Sequence, residues 1–323
     1  MKSVGIIGGS GYTGGELIRL VMNHPNLKLE FVFSRTKEKK PITFTHPDLL
    51  GNLDLNFTGA INPNIDIVYL CLGHGKSREF LNQHSFSKQT IIVDLGNDFR
   101  LIEDHEFQGR KFIYGLPELQ KETIKSATNI SNPGCFATAI QLGLMPLAKD
   151  SAINSPIHIN ATTGSTGAGM GLSSTSHFSW RNNNISWYKP FTHQHLSEIY
   201  QSLNQLKSRN EIFFMPQRGA YTRGIFATAY TTYKGTIEEA QALYQNYYAD
   251  HPFTQISIEE ISLKIVVNTN NCFIHLYKYE NTLLITSIID NLIKGASGQA
   301  IQNTNLLMDW EESLGLQLKA SIF

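Results

Sequence analysis

The first half of the chain alternates short apolar runs with stretches of helical periodicity. The apolar runs that read as strands are 4–7, 27–33, 65–72 and 91–94. Several of them are continuously apolar, which is typical of parallel strands that are covered on both faces. The pattern predicts an α/β domain of the Rossmann type.

The pattern changes beyond an apolar helix that follows Cys135 and that Pro146 is expected to end. Strand-like segments then dominate; they are 157–162, 212–215, 225–233, 263–267, 272–279 and 282–289. Helices are predicted at 237–249 and at 291–307. We therefore predict a second, α+β domain with a mostly antiparallel sheet. The expected domains are 1–146 together with about 299–323, and about 147–298.

A glycine-rich turn follows the first predicted strand and precedes the first predicted helix. Its glycines at three-residue spacing let backbone N–H groups approach a pyrophosphate at the helix N-terminus. Because the turn lies in the strand–turn–helix context that the motif requires, it predicts dinucleotide binding. The predicted cofactor contacts here are Gly8, Ser10, Gly11, Tyr12, Thr13 and Gly14.

The end of the second predicted strand indicates which dinucleotide is bound. NAD-binding chains usually carry Asp or Glu there to hold the ribose 2′-hydroxyl, whereas this chain has Ser34 and Arg35. A hydroxyl and a guanidinium suit a 2′-phosphate, so NADP(H) is favoured over NAD(H). The alternative is that Arg35 begins a solvated basic loop.

Cys135 is the candidate nucleophile. Asn132 is a natural N-cap and Pro133 a natural first helical residue, so we expect Cys135 in the first turn of a helix. The unpaired N–H groups and the dipole there lower the pKa of a thiol below its usual value of about 8.5. The alternative is that Cys135 is a small buried hydrophobe.

Composition excludes several classes of protein. The chain has 323 residues, 41% of them hydrophobic, and its 27 basic residues balance its 27 acidic ones. No apolar run is long enough to span a membrane, and no basic excess indicates a nucleic-acid partner. Three widely spaced cysteines predict a reducing, cytoplasmic location, no disulfide framework and no metal site.

With the cysteine and the glycine turn identified, the chain resembles the N-acyl-γ-glutamyl-phosphate reductase family, within the aspartate-semialdehyde dehydrogenase-like superfamily. The resemblance covers essentially the whole length. It is carried by the stretches 8–15, 73–75, 98–100, 114–119, 131–139, 164–169, 193–195, 221–224 and 290–300.

The resemblance implies a reaction and an assembly. The reaction is reduction by NADPH of N-acetyl- or N-succinyl-γ-glutamyl phosphate to the glutamate 5-semialdehyde, with phosphate release through a cysteine thioester, in arginine biosynthesis. The second domain would serve catalysis and dimerisation, and the protein would be a homo-oligomer, a dimer or a tetramer. The identity of the N-acyl group is left open.

The resemblance also implies roles for residues. His193 and His195 are the acid–base candidates, and His193 is favoured; Glu198 could orient the partner histidine or stabilise the helix dipole. His74, which follows a predicted strand, and Asn291 are expected to contact the cofactor. The expected substrate contacts are Arg100, Asn132, Ser165, Gly167 and Arg223.

The chain departs from the family pattern at positions that bear on substrate contacts. These are Gly96-Asn97 for Ser-Ala, Leu196-Ser197 for Thr-Pro, Gln217 for His, and Met170 for a basic residue.

Three other functions remain open from the sequence. A related acyl-phosphate reductase of lysine biosynthesis would use the same chemistry, a cysteine hydrolase would use Cys135 without a nucleotide, and an NADP-sensing module would form no thioester.

Overall fold

The computed structural model describes residues 1–322. The strands, in chain order, are β1 (Lys2–Ile7), β2 (Leu27–Phe33), β3 (Ile67–Leu70), β4 (Ile91–Asp94), β5 (Glu106–Phe107), β6 (Arg110–Tyr114), β7 (Asn129–Ser131), β8 (Ile157–Thr163), β9 (Ser186–Trp187), β10 (Ile212–Arg218), β11 (Ile225–Thr232), β12 (Thr254–Ser257), β13 (Cys272–Tyr279) and β14 (Thr282–Ile289).

The α-helices are α1 (Tyr12–Met22), α2 (Lys76–Gln83), α3 (Pro117–Lys125), α4 (Cys135–Lys149), α5 (Phe178–Arg181), α6 (His195–Gln205), α7 (Ile237–Tyr248) and α8 (Gly298–Leu307). A π-helical turn, Ile293–Ser297, precedes α8. Short 3₁₀ turns lie at Ile42–Phe44, Pro47–Leu49, Ser165–Ala168 and Leu263–Ile265. Within residues 1–322, no helix is both long enough and apolar enough to cross a bilayer.

The chain forms two compact units. The first comprises Met1–Leu116, Gln120–Pro133 and Ala296–Leu316, and the second comprises Pro117–Leu119, Gly134–Gly295 and the residues from Gln317 onward. The change at 133–134 differs from the boundary near 146 that the sequence suggested. The reason is that α4 packs on β11 and β14 of the second sheet.

The first unit is built on a seven-stranded sheet with the order β2-β1-β3-β4-β7-β6-β5. All neighbours pair in parallel except β5 and β6, which form an antiparallel edge. The interior strand β3 is buried along its whole length, as its continuous apolar sequence requires. The predicted Rossmann-type α/β domain is confirmed.

The second unit is built on another seven-stranded sheet with the order β12-β13-β14-β11-β8-β10-β9. Four of its six neighbouring pairs are antiparallel, while β12 with β13 and β8 with β10 are parallel. Strands β8, β10, β11 and β13 alternate buried with more exposed positions, and helices α4 and α7 pack on the sheet. The predicted mostly antiparallel α+β domain is confirmed.

Helix α4 does not end at Pro146, contrary to the sequence-based expectation, but continues to Lys149. A proline inside a helix leaves the carbonyl four residues earlier, here that of Leu142, without its usual donor. The Tyr248 hydroxyl of α7 donates to this carbonyl, and the Tyr244 hydroxyl donates to the next one, that of Gly143. Tertiary hydrogen bonds therefore replace the missing helical one, which no local pattern reveals.

The segment 263–267, predicted as a strand, is instead a 3₁₀ turn followed by a loop. The Val266 N–H donates to the Leu263 carbonyl, and the Thr269 hydroxyl donates to the Val266 carbonyl. Val266 is fully buried without pairing to a strand. Its short apolar run thus reflects burial of a loop residue, which periodicity alone does not distinguish from a strand.

Candidate active site

Cys135 is the first residue of α4, and its side chain is partly exposed. The N-cap is Gly134, in an extended conformation, and no side chain among residues 1–322 caps the helix. The prediction that Asn132 is the N-cap and Pro133 the first helical residue is therefore wrong by two residues. Cys135 is thus the first helical residue rather than the third, so it lies even nearer to the helix N-terminus and its dipole.

Asn132 is a structural residue of the first unit. Its Nδ2 donates to the Ala296 carbonyl at 3.0 Å, and its Oδ1 accepts from Asn303 Nδ2 at 3.1 Å. Its carbonyl accepts from Arg100 Nε at 2.8 Å. Arg100 also donates from Nη2 to the Leu95 carbonyl and is almost fully buried. Both residues, expected to bind substrate, thus hold the backbone just before the nucleophile.

Gly134 has two neighbours that define the site around the nucleophile. Its N–H donates to the buried carboxylate of Glu198, in the first turn of α6, at 2.9 Å. The ring of His195 packs on the other side, so that a Cβ added to Gly134 would lie 2.4 Å from His195 Nε2. Glu198 therefore fixes the peptide before Cys135, and His195 is the histidine that lies against it.

His193 lies beside His195. The rings of the two histidines are 4.7 Å apart at their centres, and His193 Nδ1 accepts the backbone N–H of His195 at 3.2 Å. An acceptor at Nδ1 leaves Nε2 of His193 as the protonated nitrogen of the neutral ring. Its other neighbours are the rings of Phe136, Tyr188 and Phe214. Both histidines are buried rather than solvated.

The π-helical turn supports Cys135 from another side. A Cβ added to Gly295 would lie 2.8 Å from the Cβ of Cys135, so only glycine fits there. The preceding Lys294 is fully buried and pairs with the equally buried Glu118 at 2.7 Å. Burial raises the pKa of Glu118, but the Lys294 ammonium outweighs it and holds the pKa below its usual value. This ion pair anchors the turn.

Arg223 and Asn291 are bound to their own unit. Arg223 Nε donates to the fully buried carboxylate of Asp290 at 3.0 Å. Asn291 Oδ1 accepts the Gly224 N–H at 2.6 Å, and its Nδ2 donates to the hydroxyl of Thr166 at 3.0 Å. Because both ends of the Asn291 amide are used, its expected contact with the cofactor gains no support.

The loop expected to supply backbone donors to the substrate uses those donors internally. The Ser165 N–H donates to the Tyr221 carbonyl, and the Gly167 N–H donates to the Gly164 carbonyl. The predicted contribution of the Gly167 N–H is therefore not available. The hydroxyl of Ser165 is the remaining candidate donor of this pair.

The glycine turn of the first unit fits a dinucleotide phosphate. Gly8 has a φ of +78°, and its Cβ would lie 2.6 Å from the Cys71 carbonyl oxygen; a Cβ on Gly14 would meet Gly9 Cα at 2.6 Å. For a Cβ at Gly11, the one atom of residues 1–322 within 4 Å, outside its chain neighbours and its own helix, is the Gly8 carbonyl oxygen at 3.9 Å. Among residues 1–322, no side chain caps α1 and no acid lies in its first turn. Open space beside uncapped N–H groups suits a pyrophosphate.

Other cofactor candidates lie around this turn. Ser10 and Tyr12 to Gly14 form its helical side, and Ser34 Oγ donates to Ser10 Oγ at 3.5 Å. Arg35 lies close enough to Glu79 to lower its pKa, after the larger effect of the hydrogen bond from Lys76. His74 is exposed on the turn after β3.

Sequence reasoning missed His46, Tyr188 and Arg218. His46 is buried, and its Nε2 donates to the Gly9 carbonyl at 2.7 Å, while its ring occupies the space that a Cβ of Gly15 would need. The one sequence feature that indicates a close neighbour such as His46 is Gly15, which directly follows Gly14. Tyr188 and Arg218 stack on each other, 4.5 Å apart. They lie 30 positions apart in the chain, so no local motif joins them.

The other two cysteines differ from Cys135. Burial raises the pKa of the Cys272 thiol to about 12, and burial raises that of Cys71 as well. Neither begins a helix. All three cysteines, which lie within the described part of the chain, are free thiols.

Both units match known protein families. Residues 3–127 match the NAD binding domain of semialdehyde dehydrogenase, and residues 135–291 match the semialdehyde dehydrogenase dimerisation domain. A nicotinamide dinucleotide cofactor therefore belongs to the first unit.

The fold is similar to solved structures of aspartate semialdehyde dehydrogenases. For aspartate semialdehyde dehydrogenase II of Vibrio cholerae complexed with ASA, the TM-score is 0.72 at 13% identity, covering 96% of this chain and 98% of that one. For the Candida albicans enzyme with NADP, the TM-score is 0.67 at 12% identity, covering 95% and 98%. At such low identities, these likenesses establish the fold alone.

Curated relatives match far more strongly. The chain is 57% identical to a protein of Flavobacterium johnsoniae and 53% identical to one of Christiangramia forsetii, over 100% of both chains in each case. Both relatives are named N-acetyl-gamma-glutamyl-phosphate reductase. The chain therefore belongs to the N-acetyl-gamma-glutamyl-phosphate reductase family of semialdehyde dehydrogenases, which are oxidoreductases of the phosphorylating aldehyde dehydrogenase type.

Proposed function

We propose that this enzyme uses NADPH to reduce N-acetyl- or N-succinyl-γ-glutamyl phosphate to the corresponding glutamate 5-semialdehyde in arginine biosynthesis. The relatives named for this reaction are 50–57% identical over their full length. The observation that carries the proposal is the start of α4. There Cys135 is the first helical residue, with Glu198 bonded to the preceding N–H and His195 packed on Gly134.

The first step is acylation of Cys135. Its thiolate attacks the acyl-phosphate carbon, a C–S bond forms, the C–O bond to phosphate breaks, and inorganic phosphate leaves. The helix N-terminus stabilises both the thiolate and the oxyanion that forms on the acyl oxygen, because its N–H groups and dipole face negative charge. Glu198 keeps the peptide before Cys135 in place during this step.

The second step releases the aldehyde. When bound, the nicotinamide coenzyme supplies the hydride that reduces the thioester. The negative charge then lies on the oxygen of the former acyl carbon; when the C=O bond of the aldehyde re-forms, the C–S bond breaks, and the Cys135 sulfur leaves as a thiolate or takes a proton from the neighbouring imidazole. Cys135 is then ready for another cycle.

We assign the acid–base role to His195 rather than to His193, which the sequence favoured. His195 packs on Gly134, next to the nucleophile, whereas His193 contacts its ring and accepts its N–H. In this proposal, His193 orients the His195 ring. Glu198 positions the backbone, because its Oε2 accepts from the Gly134 N–H.

The preference for NADPH rests on Ser34 and Arg35. Both follow β2, beside the glycine turn, where an acidic residue would select NAD. We propose that Arg35 binds the 2′-phosphate, since a guanidinium forms strong charge-assisted hydrogen bonds with phosphate.

A homo-oligomer would bury the outer face of the second sheet. Its partly exposed positions carry aromatic and apolar side chains: Phe213, Met215, Phe226, Tyr230, Phe273 and Tyr277. This domain matches a dimerisation domain, so we propose that a second copy covers the face. Light scattering of wild type and Tyr277→Glu tests this, because a charge at that position should shift the protein toward smaller species.

The decisive assay runs the reaction in reverse. Purified enzyme with phosphate, NADP and either N-acetyl- or N-succinyl-glutamate semialdehyde should form NADPH, monitored by its absorbance. The better acyl substrate identifies the N-acyl group, and replacing NADP by NAD tests the cofactor. Activity with neither semialdehyde would refute the proposed function.

A further inference from the structure

Arg218 ends strand β10, and its guanidinium carbon lies 4.5 Å from the centre of the Tyr188 ring. The Tyr188 ring lies 5.6 Å from that of His193, which lies 4.7 Å from that of His195. His195 packs on Gly134. A continuous series of ring contacts therefore runs from the residue before the nucleophile to a guanidinium.

Tyr188 lies close enough to both Arg218 and Cys135 for their charges to affect its pKa. Burial raises the pKa of Tyr188 to about 12, the charge of Arg218 opposes this rise, and the negative charge of Cys135 adds to it. Arg218 thus belongs to the surroundings of the reacting sulfur rather than to a remote surface.

No carboxylate within residues 1–322 forms an ion pair with Arg218. Its Nε is buried and has no hydrogen-bond partner in the described chain. A second cation lies beside it: Arg181 Nη1 donates to the Arg218 carbonyl at 2.7 Å. The pKa of Arg181 is lowered first by its own burial and then by the charge of Arg218.

Arg181 and Arg218 differ in how many of their N–H groups already donate hydrogen bonds within the protein. Arg181 uses Nε and Nη2 on the Thr175 carbonyl and Nη1 on the Arg218 carbonyl. The Arg218 guanidinium contacts the Tyr188 side chain, including through a hydrogen bond, and its buried Nε has no acceptor. A buried N–H without an acceptor is costly, and a guanidinium fork matches a carboxylate in a bidentate way.

We propose that Arg218 binds a carboxylate of the substrate away from the reacting carbon and so determines substrate specificity. The inference rests on the proposed function, whose substrates carry such a group on the glutamyl α-carbon. An N-succinyl substrate carries another one at the end of its acyl chain. Both groups present the same chemistry to the guanidinium.

The test compares wild type with Arg218→Gln, Arg218→Lys and the control Arg209→Gln, at an exposed position of the same unit. The reverse assay gives KM and kcat for N-acetyl- and N-succinyl-glutamate semialdehyde. We expect Arg218→Gln to raise KM about 10- to 100-fold while kcat and the Kd of NADPH change less than threefold, because a charge-assisted bidentate contact is lost. Arg218→Lys should be intermediate, and Arg209→Gln should resemble wild type.

The two substrates identify the carboxylate. An equal rise in KM for both assigns the α-carboxylate, and a rise confined to the succinyl substrate assigns the acyl carboxylate. Unchanged KM for both, or a loss confined to kcat or to NADPH affinity, overturns the inference.

Calorimetric binding of the stable acids N-acetylglutamate and N-succinylglutamate separates the inference from the proposed function. If wild type turns over neither semialdehyde but binds one of these acids in a way that depends on Arg218, the reaction is wrong and the carboxylate site stands. Binding that Arg218→Gln leaves intact overturns the site.

Discussion

Substitution of Gly134 by alanine tests whether catalysis depends on the position of the His195 ring. The backbone of Gly134 has φ −70° and ψ 146°, which alanine adopts without strain. The added Cβ would lie 2.4 Å from His195 Nε2, whereas ordinary contacts begin at 3.4 Å. The buried ring must therefore move by about 1 Å, and such a misplacement costs on the order of 10²-fold in rate.

We expect kcat of Gly134→Ala to fall about 100-fold, or about 2.7 kcal/mol in activation free energy, with the Kd of NADPH within about threefold of wild type. Steady-state kinetics and a fluorescence titration with NADPH measure the two quantities. Gly143→Ala is the matched control, because it adds a Cβ to the same helix, α4, where the nearest side-chain atoms are 3.4 Å away.

The same substitution in a His195→Asn background shows whether the loss runs through the ring. Asparagine lacks the ring atoms that meet the added Cβ, so Gly134→Ala should then cost only a few-fold, and the two changes should not be additive. A full 100-fold loss in this background, or near-normal kcat in the single variant, would refute the role given to His195.

Three further predictions concern the first unit. Arg35→Ala should weaken NADPH about 10- to 100-fold and NADH only slightly, since a charge-assisted contact to phosphate contributes about 1.5–3 kcal/mol; equal losses in a fluorescence titration would contradict this. His46→Phe keeps a ring but removes the donor to Gly9, so the Kd of NADPH should rise about three- to tenfold, for about 1 kcal/mol of hydrogen bond, and an unchanged Kd would contradict the positioning role. Burial raises the pKa of Asp94 to about 6, partly offset by hydrogen bonds from Ser77 and the Gly96 N–H. Its protonated form stabilises the fold below about pH 4, and this contribution is lost as pH rises through about 6. In urea titrations, the stability of Asp94→Asn relative to wild type should therefore be about 2 kcal/mol higher at pH 7.5 than at pH 4; the opposite sign would contradict the raised pKa.

The sequence predicted the features that local patterns determine. Apolar runs indicated four of the seven strands of the first sheet, β1 to β4, and the glycine turn indicated the start of α1. Cys135 at a helix start was also predicted, although the cap was assigned to Asn132. The side chain of Asn132 is instead bound by Asn303, 171 positions later in the chain.

Contacts between residues that are distant in the chain explain the features that local sequence patterns could not predict. Glu198 reaches the Gly134 N–H from 64 positions away, and Tyr248 supplies the hydrogen bond that lets α4 continue through Pro146. Arg100 was expected at the substrate because a guanidinium suits phosphate, yet it holds the Asn132 carbonyl. A residue type indicates a possible chemistry, whereas the fold decides which partner it meets.

The central claim is that the acyl group is transferred to Cys135 as a thioester. Enzyme mixed with the acyl phosphate in the absence of NADPH should release one equivalent of phosphate per active site and gain the mass of one N-acylglutamyl group. Peptide mass spectrometry should locate this group on Cys135, hydroxylamine should remove it, and Cys135→Ser should show neither burst nor added mass. Phosphate release without acylation of Cys135, or acylation on Cys71 or Cys272, would contradict the account.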